Sequence, residues 1–353
     1  MKFGLFSLLD QPEAIDSERL YRETLEHLCY GEELGFDEAW VAEHHFHSYG
    51  TCGSPATFLS ALAARTRRMR LGSAMSILTL HNPVNVAEDY AVVDALSGGR
   101  LDLGVGRGYQ PSELGAFGVP MEETRDRFDE ALEIIELAWS GKEFSFHGKW
   151  HSFDQVRTYP RPVQDPAPPV FIASISAATF DLVRERSGRY GIAASLLTSG
   201  FPTVRKGLNE FVDSLDEGDE RDVMLVLPAY IGSSDEEAMD TMTRYMTPYF
   251  ETVKHLLPGA LGEEVEASYE EYAAMAKAAA NIDMAKFCRR FPVGSAETAT
   301  ERLVELLREL PATRVVMWMK FGEMPPRVAR ASMERMVEDV LPVLRREFAA
   351  SSG

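Results

Sequence analysis

Cysteine is scarce in this chain, with only Cys29, Cys52 and Cys288 among 353 residues. The three are scattered, odd in number and form no C-x-x-C pair. Neither a disulfide framework nor a thiolate zinc site is expected, and a reducing cytoplasm fits. Positive charge is short as well: Lys+Arg 36 against Asp+Glu 55 leaves a formal net charge of −19. So acidic a surface repels phosphate backbones and anionic lipid, which argues against nucleic acid and membrane as partners. Long apolar runs are also missing, since no segment approaches the roughly 20 apolar residues of a membrane span. The N-terminal MKFGLFSLLDQPE is interrupted by Asp10 and Glu13, so it reads as a first strand rather than a signal peptide.

What the chain does have is alternation. Strand-like apolar runs fall at 3–9, 38–45, 69–76, 100–106, 169–174, 191–195, 222–231 and 314–321, each with a helical partner. Ser17 is the expected cap of a helix that carries Leu20, Thr24 and Leu28 on one face and ends near Gly35. Asn82-Pro83 reads as an N-cap followed by proline at the first helical position, and Ser97-Gly98-Gly99 as the stop. Phe128, Leu132, Ile135 and Trp139 mark the face of a further long helix. The rhythm breaks twice. Residues 142–168 read as a short hairpin around a His-Gly turn with a proline-rich connector. Residues 254–292 are acidic and alanine-rich, and read either as a lid over the barrel or as a solvated surface helix. Eight units with continuous apolar strands imply a parallel sheet buried on both faces. The expectation is an α/β fold, a (β/α)8 TIM barrel forming one domain over 1–353 with these two insertions.

In such a barrel the chemistry sits at the carboxyl ends of the strands. That rule gathers EHHFH (43–47), SAMS (73–76), GRGYQ (106–110) and ASISAAT (173–179). His44, His45 and His47 raise the question of a metal. No second acidic or histidine cluster at the other strand ends completes a coordination sphere, so no metal is expected. Histidines satisfied by backbone hydrogen bonds are the competing structural reading. Arg107 stands between two glycines; a guanidinium there can grip phosphate oxygens with two parallel hydrogen bonds, or pair with a neighbouring carboxylate. Ser174, Ser176 and Thr179 surround the start of a helix, where free N–H groups and the helix dipole attract phosphate. Capping alone would account for one of those hydroxyls.

MKFGLF at the start, GFDEAWVAEHHF (35–46), RLDLGVGRGYQ (100–110) and FGVPMEETRDRF (117–128) resemble the bacterial luciferase-like, flavin-dependent monooxygenases. The resemblance runs from residue 1 to about 195, with weaker agreement at 321–336. It implies the same barrel and reduced FMN as a bound substrate. By motif position, Arg107 with the backbone of Gly108 and Tyr109 would hold the FMN phosphate, completed by Ser176 and Thr179. Ala74 and Met75 match the place where the family often has a non-proline cis peptide facing the flavin ring. His44 matches the histidine used as acid/base, with Glu43 and His45 expected to orient it. The implied activity uses reduced FMN, supplied by a separate flavin reductase, and O2 through a flavin C4a-hydroperoxide. It would oxygenate a small, apolar organic substrate. Pairing with itself or with a related barrel, as a homodimer or heterodimer, is implied too. Gly106 and Ile175 stand where luciferase α-subunits have a reactive cysteine and a carboxylate, so light emission is not expected. The rival readings are a deazaflavin (F420)-dependent oxidoreductase on the same fold, a flavin-binding subunit without turnover, and a zinc hydrolase built on the three histidines.

Overall fold

The computed structural model describes residues 1–174, 180–181, 183, 190–197, 201–216, 222–260, 265 and 269–349. Eight strands form the barrel: β1 (Lys2–Ser7), β2 (Glu38–Val41), β3 (Arg70–Ser73), β4 (Leu101–Gly106), β5 (Val170–Ala173), β6 (Gly191–Ser195), β7 (Val223–Pro228) and β8 (Arg314–Trp318). They lie in the order β3-β2-β1-β8-β7-β6-β5-β4, and a β3–β4 pairing closes the ring. Every pair in it is parallel. The fold is therefore the expected (β/α)8 barrel. Strands such as VMLVLP at 223–228 are buried at every position because helices cover one face and the barrel core the other.

The strand ends differ from expectation. β2 stops at Val41 rather than running to residue 45, so the whole EHH stretch lies in the loop beyond it. The 69–76 run is split into β3 and a two-residue strand at Ser76–Ile77, separated by a cis peptide between Ala74 and Met75. The 222–231 run likewise divides, with Tyr230–Ile231 leaving the barrel to pair with Val293–Gly294. An unbroken apolar run conceals such changes of partner.

The first helix, Ser17–Leu34, is capped by Asp16, whose carboxylate accepts from the Arg19 N–H; Ser17 is the first helical residue, not the cap. Asn82 caps the helix Pro83–Ser97 by accepting from the Val84 N–H, and Gly98 ends it in the left-handed region at φ 70°. The expected hairpin is present as antiparallel strands Phe144–His147 and Ser152–Val156. Within 254–292 the chain forms helices Glu270–Ala280 and Met284–Cys288. Among the described residues no helix is long and apolar enough to cross a membrane.

The pole of the barrel at the strands' amino ends is an ion cluster. Arg314 donates to Glu38 Oε2 at 2.8 Å and to Asp102 Oδ2 at 2.8 Å, and forks onto both oxygens of Asp222. Arg70 makes a second fork onto Asp102. Burial pushes the Glu38 carboxyl up to about 7, against the pull of Arg314.

His27, on the first helix, is buried with neither ring nitrogen hydrogen-bonded in the structure. Burial, reinforced by Lys320 and Arg330, pushes it down to about 3. Below pH 6.5 the unfolded chain takes up a proton that the folded chain refuses, so stability falls as pH drops. The expected loss is about 1.4 kcal/mol per pH unit, roughly 2 kcal/mol by pH 5. Urea unfolding at pH 7 and pH 5 should show that share of the slope vanish in His27→Leu. Equal slopes in both proteins would refute this.

Candidate active site

At the carboxyl ends of the strands lies a cavity of about 1080 Å³, counted with its open mouth. Its floor is made by small and apolar groups including Ala74, Met75, Gly106, Ala173 and Ala193. Glu43, His44, Arg107, Gly108 and Tyr109 also line it. The stretches after β2, β3 and β4 thus meet where strand order places them.

The three histidines of EHHFH do not converge. Phe46, between His45 and His47, adopts φ 64° and is 64% exposed. His47 reaches Ser112 Oγ at 3.1 Å on the surface. His45 Nε2 lies 3.0 Å from Glu43 Oε1. His44 is buried against Glu113, with Nδ1 3.0 Å from Glu113 Oε1, and that oxygen also accepts the His45 backbone N–H at 2.7 Å. With Glu113 ionised, Nδ1 carries the proton and donates it to the carboxylate, so Nε2 is the nitrogen left for the cavity. The Gln110 side-chain amide packs 3.2 Å from the same Nδ1.

The expected roles of Glu43 and His45 as orienters of His44 are corrected by this arrangement. Glu113 holds His44, while Glu43 is the hub of a separate cluster. Its carboxylate lies 3.0 Å from His45 Nε2 and 2.6 Å from His81 Nε2, and accepts from the Ser76 hydroxyl and the Ile77 N–H. Those bonds hold Glu43 below the usual carboxylate range although burial pushes the other way. The same carboxylate raises His81 against its own burial. His81, beyond the strand Ser76–Ile77, joins Glu43 and His45, and their potential ligating atoms lie within 4.8 Å of one another. At hydrogen-bond distance from an ionised carboxylate, each of the two imidazoles serves as a donor.

Arg107 leaves β4 into the cavity, its guanidinium 4.3 Å above the Tyr269 ring. Thr79 Oγ1 donates to the Arg107 carbonyl, and Gly108 follows at φ 79°, a conformation that suits glycine. The Ala74–Met75 cis peptide expected from the family is present, and both residues line the cavity. Ser174 is a correction: it is fully buried, its hydroxyl donates to the Ile172 carbonyl, and it lies outside the described cavity lining. Ser176, Thr179 and Ile175 lie outside the described residues.

Several groups escaped sequence reading. Tyr49 packs edge-on against His44 at 4.6 Å between ring centres, and its hydroxyl lies 3.2 Å from that of Tyr109 and 3.5 Å from that of Tyr249. Burial raises all three phenols, Tyr249 to about 12, so they remain protonated across the neutral range. Glu113 follows the GRGYQ motif by one helical turn starting at Pro111, and was the most readable of the missed residues.

The sequence profile of luciferase-like monooxygenases matches residues 1–314. The chain belongs to that family. Among its relatives is a 4-hydroxyprotoasukamycin monooxygenase of Streptomyces nodosus subsp. asukaensis, 31% identical over 268 residues, 71% of each chain. The solved monooxygenase RslO1 of Streptomyces bottropensis superposes with a TM-score of 0.82 at 25% identity, covering 98% of this chain and 100% of that one. The oxygenating constituent of 3,6-diketocamphane monooxygenase from Pseudomonas putida, a complex with FMN, does so at 0.79 and 17% identity, covering 97% and 98%. Another relative is an F420-dependent glucose-6-phosphate dehydrogenase of Amycolatopsis mediterranei, 30% identical over 201 residues, 55% of this chain and 57% of that one. Luciferase-like monooxygenases are oxidoreductases, and this chain is one of them.

Proposed function

We propose that this luciferase-like monooxygenase binds reduced FMN, delivered by a separate flavin reductase, and uses O2 to oxygenate a small, apolar organic substrate. The observation that carries the reading is His44, held through Nδ1 by buried Glu113 in a largely apolar cavity that also admits Arg107. Among the described lining residues Arg107 is the single cation, which suits one phosphate better than the multiply acidic tail of a deazaflavin. Around it the Gly108 turn offers close backbone approach, and the small side chains of the floor leave room for a flat ring.

When bound, reduced FMN supplies the activation of O2. The chain's own residues do the rest. His44 gives or takes one proton at Nε2, work that an imidazole performs near neutral pH. The apolar walls keep bulk water from the reacting groups. Pairing of two barrels belongs to the same proposal, supported by Val92 and Leu96 exposed on the helix Pro83–Ser97. Residence in the cytoplasm does so as well.

The test is anaerobic titration of the protein with reduced FMN, oxidised FMN and reduced F420, followed by admission of air. Reduced FMN is expected to bind and to reoxidise more slowly than in free solution. Preference for F420, or uptake of neither cofactor, would overturn the reading. Arg107→Ala should weaken reduced FMN by about 10–100-fold, the range for losing charged hydrogen bonds. An unchanged dissociation constant would place the phosphate elsewhere.

A further inference from the structure

A second cavity, of about 990 Å³ counted with its open mouth, lies beside the first, and Leu197 and Tyr249 line both. Its walls come from Leu196 just past β6, from Phe250 and Val253 on the helix Asp235–Val253, and from the helix Glu270–Ala280. Ala274 and Ala278, one turn apart on that last helix, both face the space, and their small size leaves it open. Apolar groups make most of the wall, with Thr203 and Tyr249 bringing hydroxyls to it. Among the described lining residues only Arg290 is charged, and it sits exposed at the rim.

We propose that this side chamber receives the body of the organic substrate, an extended apolar molecule with one acidic group that Arg290 holds at the rim. The inference rests on the reading of the first cavity as the place of oxidation, and it names the class of molecule that site takes. Tyr249 is the joint between the two spaces. Its hydroxyl lies 3.5 Å from that of Tyr49, whose ring packs against His44. A molecule lying along the chamber and past Tyr249 therefore ends against the imidazole. Elsewhere a chain of net charge −19 repels anions, so one guanidinium above an apolar wall discriminates for an acid that carries a hydrophobic body.

The probes are 8-anilinonaphthalene-1-sulfonate and N-phenyl-1-naphthylamine, the same ring system with and without the acid, titrated calorimetrically with FMN present. The sulfonate is expected to bind about tenfold more tightly, from a charge-assisted hydrogen bond. Arg290→Gln should abolish that preference and Arg290→Lys retain part of it. Ala278→Trp, which fills the chamber, should weaken both probes about tenfold or more. FMN affinity should stay unchanged in all three variants, which also reports that they fold. Wild-type affinity for both probes in Ala278→Trp, or a preference that survives Arg290→Gln, would overturn the proposal. If the wild type takes up both probes as stated but no FMN, the chamber stands and the cofactor reading falls.

Discussion

Replacing His44 by alanine is expected to lower turnover by about 10²–10⁴-fold, the usual contribution of a positioned acid or base. Uptake of reduced FMN should change little, because the contacts proposed for its phosphate lie on Arg107 and the turn after it. The loss should therefore fall on kcat rather than on cofactor affinity, the pattern of a group that acts only in the chemical step. Glu113→Gln should reproduce part of the effect. It keeps the size of the side chain but removes the anion that fixes the proton on Nδ1, which lies 3.0 Å away. Added imidazole should restore some activity to His44→Ala and none to Glu113→Gln, which still has its own ring. Single-turnover measurement with photoreduced FMN reads all three. Normal turnover in His44→Ala would remove the proton-transfer role from this residue.

The other large effect belongs to the opposite pole. Arg314→Met is expected to cost about 3–5 kcal/mol of unfolding free energy, the usual penalty for stranding buried charges. Glu38 and Asp102 are both fully buried and share one guanidinium nitrogen, each at 2.8 Å. Asp102 would keep Arg70, whereas Glu38 would have no cation left among its hydrogen-bond partners. Arg314→Lys retains the charge but not the two-pronged grip on Asp222, so an intermediate loss is expected. Urea denaturation at pH 7 decides it, and a loss under about 1 kcal/mol would mean that the cluster relaxes around the gap. Activity per folded molecule should survive, since the cluster and the cavity occupy opposite ends of the strands.

Much of this architecture was legible beforehand. Eight apolar runs and the capping residues at Asn82 and Gly98 report local physics, and local physics placed them. The ends of strands were less so, because EAWVAEHH carries no turn residue where β2 stops; the ladder ends with its partners, Ser7 on one side and Ser73 on the other. Motif position located His44, Arg107 and the Ala74–Met75 bond. It could not pair His44 with Glu113, 69 residues away, or Glu43 with His81, 38 residues away. Adjacent letters in EHH suggested one working group, yet His44 pairs with Glu113 and His45 with Glu43. Which carboxylate serves which imidazole is a property of the packed loops and leaves no trace in spacing.

Tyr269 gives that packing a wider consequence. It lies under the Arg107 guanidinium, and its hydroxyl lies within hydrogen-bonding distance of the Gly108 carbonyl and the Thr124 hydroxyl. It is also the residue from which the helix Glu270–Ala280, one wall of the neighbouring chamber, begins. Any displacement of that one stretch would disturb the contact on the Arg107 guanidinium and the wall of the apolar space together, so the two cavities are mechanically joined through a single helix start.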